Sequence, residues 1–149
     1  EKIPDIGLTT DIIVGFPGET DEDFQDTMDV VNEVGFENAF MFMYSKRTGT
    51  PAATMENQVD EQVKNERLQQ LMRLQNMKAK EESQKYLGKI VKVLVEGPSK
   101  KNPEMLVGRS STHKIVLFKS DRKDLKGQFV NTKIYNAKTW TLYGELVEE

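Results

Sequence analysis

The sequence predicts two modules of different class, α/β and then all-β. The first is a strand–helix–strand piece of an α/β barrel or sheet followed by a long helix. The second is a small OB-like barrel of five strands. Three observations carry this. Two apolar runs, residues 8–14 and 39–44, flank a stretch with helical periodicity. Residues 60–87 contain neither Gly nor Pro. After Gly88 the apolar period falls to two, with turn residues at short intervals.

The run LTTDIIV (8–14) is apolar on both faces apart from Thr and Asp, as in parallel strands covered by helices. Gly15-Phe16-Pro17-Gly18 breaks it. Thr20 suits an N-cap, and Asp21, Glu22 and Asp23 fill a first turn, where the helix dipole favours acids. Phe24, Met28 and Val31 follow at helical spacing, Val30 and Val34 widen the stripe, and Gly35 is the expected stop. AFMFMY (39–44) is a second buried strand, at the connection length of a right-handed crossover. Residues 45–55 form a loop. The long helix over 60–87 places Leu68, Leu71, Met72 and Ala79 on one face, with Leu74 and Met77 beside them. Its apolar repeat is not sustained as heptads. Short strands are expected at 90–95, 105–107, 115–118, 129–135 and 139–147, joined by turns such as EGPSKKNPE and KSDRKDLKG. The domain boundary is placed at Gly88, giving modules 1–87 and 88–149. Two strands and one crossover helix cannot close a βα barrel or bury both their faces, so the chain is expected to be a fragment that starts partway through a larger domain.

Composition narrows the chemistry. Of 149 residues, 37% are apolar and 30% charged, enough for a core. There is no cysteine, which excludes disulfides, thiolate metal sites and cysteine nucleophiles. His113 is the single histidine, so a histidine-rich metal site is excluded too. No run approaches the length of a membrane-spanning helix, and EKIPDIG at the start has no signal-peptide character, so a cytoplasmic location is expected. Residues 1–87 hold nine Lys and Arg against seventeen Asp and Glu, a balance of −8; residues 88–149 hold twelve against seven, a balance of +5. That asymmetry points to an anionic partner for the second module.

Strand parity puts Asp11, Ile13 and Gly15 on one face and Ile12 and Val14 on the other. If helices cover the second face, Asp11 points into the barrel. A buried carboxylate is costly unless it is paired. Two readings stay open for it: an acceptor for a ligand's hydroxyl or ammonium, or an acid at the strand's edge or paired with a distant Lys or Arg. Gly15 and Gly18 lie at the carboxyl end of the strand, where ligands of α/β sheets and βα barrels sit. No Gly-Lys-Ser/Thr follows them and the spacing is not G-x-G-x-x-G, so no phosphate-loop motif is present. Glu19 and Thr20 read first as capping residues. Tyr44, Ser45 and Arg47 follow the second strand at the same end.

The second module scatters cations along its strands and turns. Lys100, Lys101, Arg109, Lys114, Lys119, Arg122 and Lys138 are the candidate RNA-binding set, among further lysines that include Lys89, Lys92, Lys123, Lys126 and Lys133. Phe118, Tyr135, Trp140 and Tyr143 are interleaved with them. Each aromatic taken alone is better explained by the core than by stacking on bases.

TDIIVGFPGETDEDF and FMYSKRTGTPA together resemble the last part of the radical S-adenosylmethionine domain of methylthiotransferases. VLVEGPSKKNPEMLVGRSSTHKIVLF and GQFVNTKIYNAKTWTLYGEL look like their C-terminal TRAM domain. The resemblance covers essentially the whole chain. The stretch Glu96-Gly97-Pro98-Ser99-Lys100-Lys101, with Gly108-Arg109, looks more like the branch acting on N6-isopentenyladenosine in tRNA than the branch acting on a ribosomal protein. The resemblance implies a partial (βα) barrel joined to a five-stranded TRAM barrel, S-adenosylmethionine and two [4Fe-4S] clusters as cofactors, and tRNA as partner of the TRAM barrel, with neither DNA nor a membrane. It also implies that Asp11 binds a polar part of S-adenosylmethionine, that Ile13 packs on the adenine and that Gly15 permits close approach. With no cysteine here, the cluster ligands are expected upstream of Glu1, and the fragment alone is expected to be inert. A methylthiotransferase acting on threonylcarbamoyladenosine or on a ribosomal protein, or a free-standing RNA-binding module, remain the alternatives. The sequence does not fix the oligomeric state.

Overall fold

The computed structural model describes residues 3, 5–122 and 124–147. Contacts divide the chain into two units. One holds Leu8–Lys78; the other holds the chain from Ala79 onward together with the stretch before Leu8.

In the first unit, strand β1 (Thr9–Val14) and strand β2 (Asn38–Met43) pair in parallel, with Asp11 opposite Phe40 and Ile13 opposite Phe42. Helix α1 (Asp21–Val34) connects them. Its start is a capping box: the Thr20 hydroxyl accepts from the Asp23 N–H at 3.1 Å, and the Asp23 carboxylate accepts from the Thr20 N–H at 2.8 Å. These bonds, first from the Thr20 backbone and then from its hydroxyl, hold the Asp23 carboxyl below the usual carboxylate range. Gly35 ends the helix in the left-handed conformation, its N–H on the Val31 carbonyl. Phe24 and Val31 are buried with Val14 and Leu71, and Ile12, Met28, Met41, Leu68 and Leu74 pack around them. Burying a side chain of the size of Phe24 contributes about 1.5–3 kcal/mol. Val30 and Val34 do not join this stripe; both are exposed. Inside the expected loop, Pro51–Thr54 makes a short 3₁₀ turn.

Helix α2 (Glu61–Gln84) stops a turn earlier than expected, and residues 85–88 turn into the barrel. Its buried side is Lys64, Arg67, Leu71, Gln75, Ala79 and Ser83, at i, i+3 and i+4 spacing. Met72 and Met77, expected on or beside the apolar face, are exposed. The periodicity is helical as expected, but four of these six inward positions are polar and each has a specific partner. Gln75 Nε2, for one, donates to the Phe36 carbonyl at 2.9 Å. The contacts also divide inside this helix: residues 79–87 belong with the barrel.

The second unit is a closed barrel of β3 (Ile90–Pro98), β4 (Met105–Ser110), β5 (Ile115–Lys119), β6 (Phe129–Ala137) and β7 (Thr141–Val147). The strand order round it is β3-β4-β5-β7-β6. All pairs are antiparallel except β5 with β7, the OB-like arrangement. Closure leaves no free sheet edge. Val93, Val95, Leu106, Val116, Phe118, Leu125, Ile134 and Leu142 fill the interior. Bulges at Val95/Gly97 and Ile134/Asn136 bend β3 and β6. The end of α2 is tied to this unit: Ser83 Oγ donates to the Thr139 carbonyl at 2.9 Å and Gln84 Nε2 to the Ala137 carbonyl at 2.8 Å.

Candidate functional site

The carboxyl ends of β1 and β2 form the first candidate region. Phe16-Pro17-Gly18-Glu19 is a tight turn closed by the Glu19 N–H on the Phe16 carbonyl at 2.9 Å. Pro17 supplies the second residue and Gly18, at φ 90°, the third, the residue types a type II turn requires. Gly15 has φ 73°, and its N–H donates to Glu19 Oε1 at 2.9 Å. A Cβ at Gly15 would collide with Cγ and Cδ of Lys64. The close approach at this glycine is thus to the stem of a helix α2 lysine. Lys64 Nζ reaches the Tyr44 carbonyl at 3.1 Å and pairs with Glu61.

Arg67 locks the turn. Its guanidinium donates to Glu19 Oε1 at 2.7 Å, to the Glu19 carbonyl at 3.1 Å and to Asp21 Oδ1 at 2.7 Å, and it lies over the Phe24 ring. Burial alone would lower its pKa, but the bonds to Asp21 and Glu19 outweigh burial and raise it. Glu19 therefore does more than cap: one carboxylate joins the Gly15 amide to a buried arginine. Sequence reading missed Lys64 and Arg67, because nothing in a Gln- and Lys-rich helix marks which charges turn inward.

The expected cofactor residues separate. Ile12 and Val14 pack against helices, while Asp11 and Ile13 lie on the opposite face of the sheet, exposed. Phe40 and Phe42 lie beside them on that face, 59% and 52% exposed. Asp11 makes no ion pair and no side-chain hydrogen bond among the described residues. Gly15 is buried against α2 instead of sharing that face. Tyr44 packs edge-on against Phe16 with ring centroids 5.2 Å apart, and its hydroxyl is buried without a hydrogen-bond partner. Ser45 and Arg47 are exposed.

In the barrel, the seven candidate cations fall into different environments. Lys100 and Lys101 stand on the β3–β4 loop, Lys119 at the end of β5, and Arg122 on the β5–β6 loop with Lys126. Strand register brings these two loops to one end of the barrel, where Lys119 and Arg122 line two clefts of about 500 and 540 Å³. Arg122 is also bound to Asp124 at 2.9 Å. Arg109 lies on the outer wall, its Nε on Glu96 Oε1 at 2.7 Å. Lys138 sits at the opposite end, its ammonium over the Tyr143 ring at 5.3 Å. Lys114 corrects the expectation. It is buried, 5% exposed, and its Nζ bonds Ser83 Oγ at 3.1 Å, so its charge faces the α2–barrel junction and offers nothing to a ligand outside. Lys123 lies outside the described residues. Of the aromatics, Phe118 is core, Tyr135 and Trp140 are exposed and Tyr143 is half-buried. No helix among the described residues is long and apolar enough to cross a membrane.

Residues 84–147 match the TRAM domain family. The whole chain is similar to curated proteins named tRNA-2-methylthio-N(6)-dimethylallyladenosine synthase. That of Fusobacterium nucleatum is 66% identical over 146 residues, which is 98% of this chain and 33% of the relative. That of Acetivibrio thermocellus is 56% identical over 147 residues, 99% of this chain and 30% of the relative. That of Bacillus cereus is 58% identical over 149 residues, all of this chain and 29% of the relative. The chain thus spans about a third of the length of the curated relatives it matches.

Proposed function

We propose that the chain, which carries a TRAM domain and is similar along its whole length to tRNA-2-methylthio-N(6)-dimethylallyladenosine synthases, is part of a cytoplasmic enzyme that adds a methylthio group to C2 of N6-isopentenyladenosine beside the anticodon of tRNA. In this reading the barrel holds the tRNA and the Asp11 face of the sheet forms one wall of the S-adenosylmethionine site. The observation that carries the RNA-binding half is the gathering of Lys100, Lys101, Lys119, Arg122 and Lys126 on two loops and the end of β5, at one end of the barrel. Cations so placed follow a phosphate backbone.

The cofactors fit unequally. The Asp11 face suits S-adenosylmethionine, which supplies the methyl group and, when reductively cleaved, the radical. Asp11 would accept from its hydroxyls or ammonium, and Ile13 would offer an apolar surface to the adenine. Support comes from the free carboxylate and the uncovered Phe40 and Phe42 beside it. The iron–sulfur clusters do not fit these residues. The chain has no cysteine, and no group of three or more His, Asp or Glu among the described residues could hold a metal. No catalytic step is assigned to this chain, and alone it is expected to be inactive.

Two experiments test the reading. Affinity of the chain for tRNA is expected to fall steeply with added salt, linearly in log–log form, at roughly 0.7–0.9 of a unit per phosphate contact. Lys100→Ala and Lys101→Ala should each reduce that slope by about 1, evenly across RNA sequences. Salt-independent binding, or none, would remove the barrel's proposed role. In the enzyme carrying its clusters, Asp11→Asn should weaken S-adenosylmethionine binding measured by calorimetry, by about tenfold, as expected when one charge-assisted hydrogen bond is lost. Unchanged affinity would make Asp11 a surface acid.

A further inference from the structure

The outer wall of the barrel carries a feature that the cationic loops do not explain. Phe129, the first residue of β6, is 64% exposed, the most exposed large apolar side chain of the barrel. Register places it directly opposite Leu94, which is itself opposite Arg109 on β4. One pair further along, Lys92 stands opposite Asn131, and its ammonium lies 5.0 Å from the centre of the Phe129 ring. The next pair is Ile90 with Lys133, Ile90 being 61% exposed. Three exposed apolar side chains, Phe129, Leu94 and Ile90, thus share one wall with three cations, Lys92, Lys133 and Arg109. A closed barrel has no need of an outward phenylalanine, and an exposed aromatic among apolar neighbours marks a binding surface.

We propose that this β3–β6 wall is a stacking platform for an unpaired nucleotide, with the base on Phe129 and Leu94 and the neighbouring phosphate on Lys92. The inference rests on the proposal that the barrel binds RNA and names the part of the RNA that this wall reads. Two features select an unpaired nucleotide over a protein surface. The cations on the wall outnumber its acids: Glu96 is already held by Arg109, and Glu145 stands opposite Lys133 in the strand register. The wall is also continuous with the basic loop end, because Phe129 follows directly on the loop bearing Arg122 and Lys126, where the Gly127 N–H donates to the Val95 carbonyl at 2.8 Å. A strand whose backbone follows the loop cations therefore arrives at an aromatic ring with an ammonium beside it. Bases stack on such rings whatever their sequence.

The test compares two RNAs of equal length, a stem with an unpaired loop and a fully paired duplex, binding to the intact chain. Phe129→Ala should weaken the looped RNA roughly 5- to 100-fold and leave the duplex unchanged. Phe129→Trp should restore or strengthen binding, and neither variant should alter the salt slope. Lys92→Ala should reduce the slope by about 1 for the looped RNA alone. Equal binding of both RNAs by Phe129→Ala and the parent chain overturns the platform while the loop-lysine effects stand. If neither RNA binds the parent chain, the RNA-binding reading itself has failed. A change in oligomeric state in Phe129→Ala, seen by sedimentation, would show that the wall serves a second copy and would also overturn the proposal.

Discussion

Arg67→Ala is expected to destabilise the Leu8–Lys78 unit by about 3–5 kcal/mol, the range found when one partner of a buried ion pair is removed. The magnitude comes from one arm of the contact. The Asp21 side chain is 99% exposed, and an exposed pair contributes at most about 1 kcal/mol. The Glu19 side chain is only 11% exposed against 7% for Arg67, and its Oε1 also accepts the Gly15 amide. Without the guanidinium that carboxylate keeps its burial and loses its counter-charge. It must then move toward water, and the Gly15 amide loses its acceptor. Because Gly15 closes β1, amide exchange should quicken at Val14, Gly15 and Tyr44 as the urea midpoint falls. Arg67→Lys should recover part of the loss, since one ammonium cannot span both Glu19 atoms and Asp21. Combining Glu19→Gln with Arg67→Met should cost much less than the single Arg67 change, because no charge is then left stranded. A loss below about 1 kcal/mol for Arg67→Ala would mean that the pair is effectively solvated and that the turn stands without it.

How far the sequence could be read depends on the range of the interaction that fixes each feature. The α1 caps were legible because Thr20, Asp23 and Gly35 act within one helical turn of their own backbone. The parallel pairing of β1 and β2 was legible from spacing, as were the five barrel strands. The clamp was not. Arg67 and Glu19 are 48 positions apart, and nothing near either names the other. Helix α2 misled for a related reason: its inward row mixes Leu71 and Ala79 with Lys64, Arg67, Gln75 and Ser83, so an apolar count chose Met72 and Met77 wrongly. In the barrel, period two is carried past the bulges at Val95/Gly97 and Ile134/Asn136 only by shifting register, so a residue's face is not fixed by counting from one strand end. Lys114 repeats the problem of range: it precedes β5, and its ammonium turns to Ser83 of α2, 31 positions earlier in the chain. Of the candidate site, Asp11 and Ile13 kept the shared face that parity gave them. Gly15 lost it because the chain leaves the strand before that residue.

Phe118→Ala is expected to be the most damaging single change in the barrel, costing about 3–5 kcal/mol by removing a large buried ring. Phe118 is fully buried on β5, between β4 and β7, with Val93, Val95, Leu106 and Ile134 in the same cluster. Inward strands meet there from every side of a closed barrel, so the surroundings cannot collapse on the cavity without breaking ladder bonds. The loss should therefore lie near the upper end of the range. The same residue separates two roles that an aromatic in a basic barrel can have. If Phe118 acts through packing alone, Phe118→Leu should keep tRNA affinity at temperatures below its lowered melting point, and its salt slope should match the parent. Phe129→Ala should show the opposite pattern, an unchanged melting point with weakened binding to unpaired RNA. A Phe118→Leu chain that stays folded yet loses RNA affinity would require a path from the core to the binding wall. That path would have to run through Val93 and Val95, the inward residues that alternate with Lys92 and Leu94 along β3.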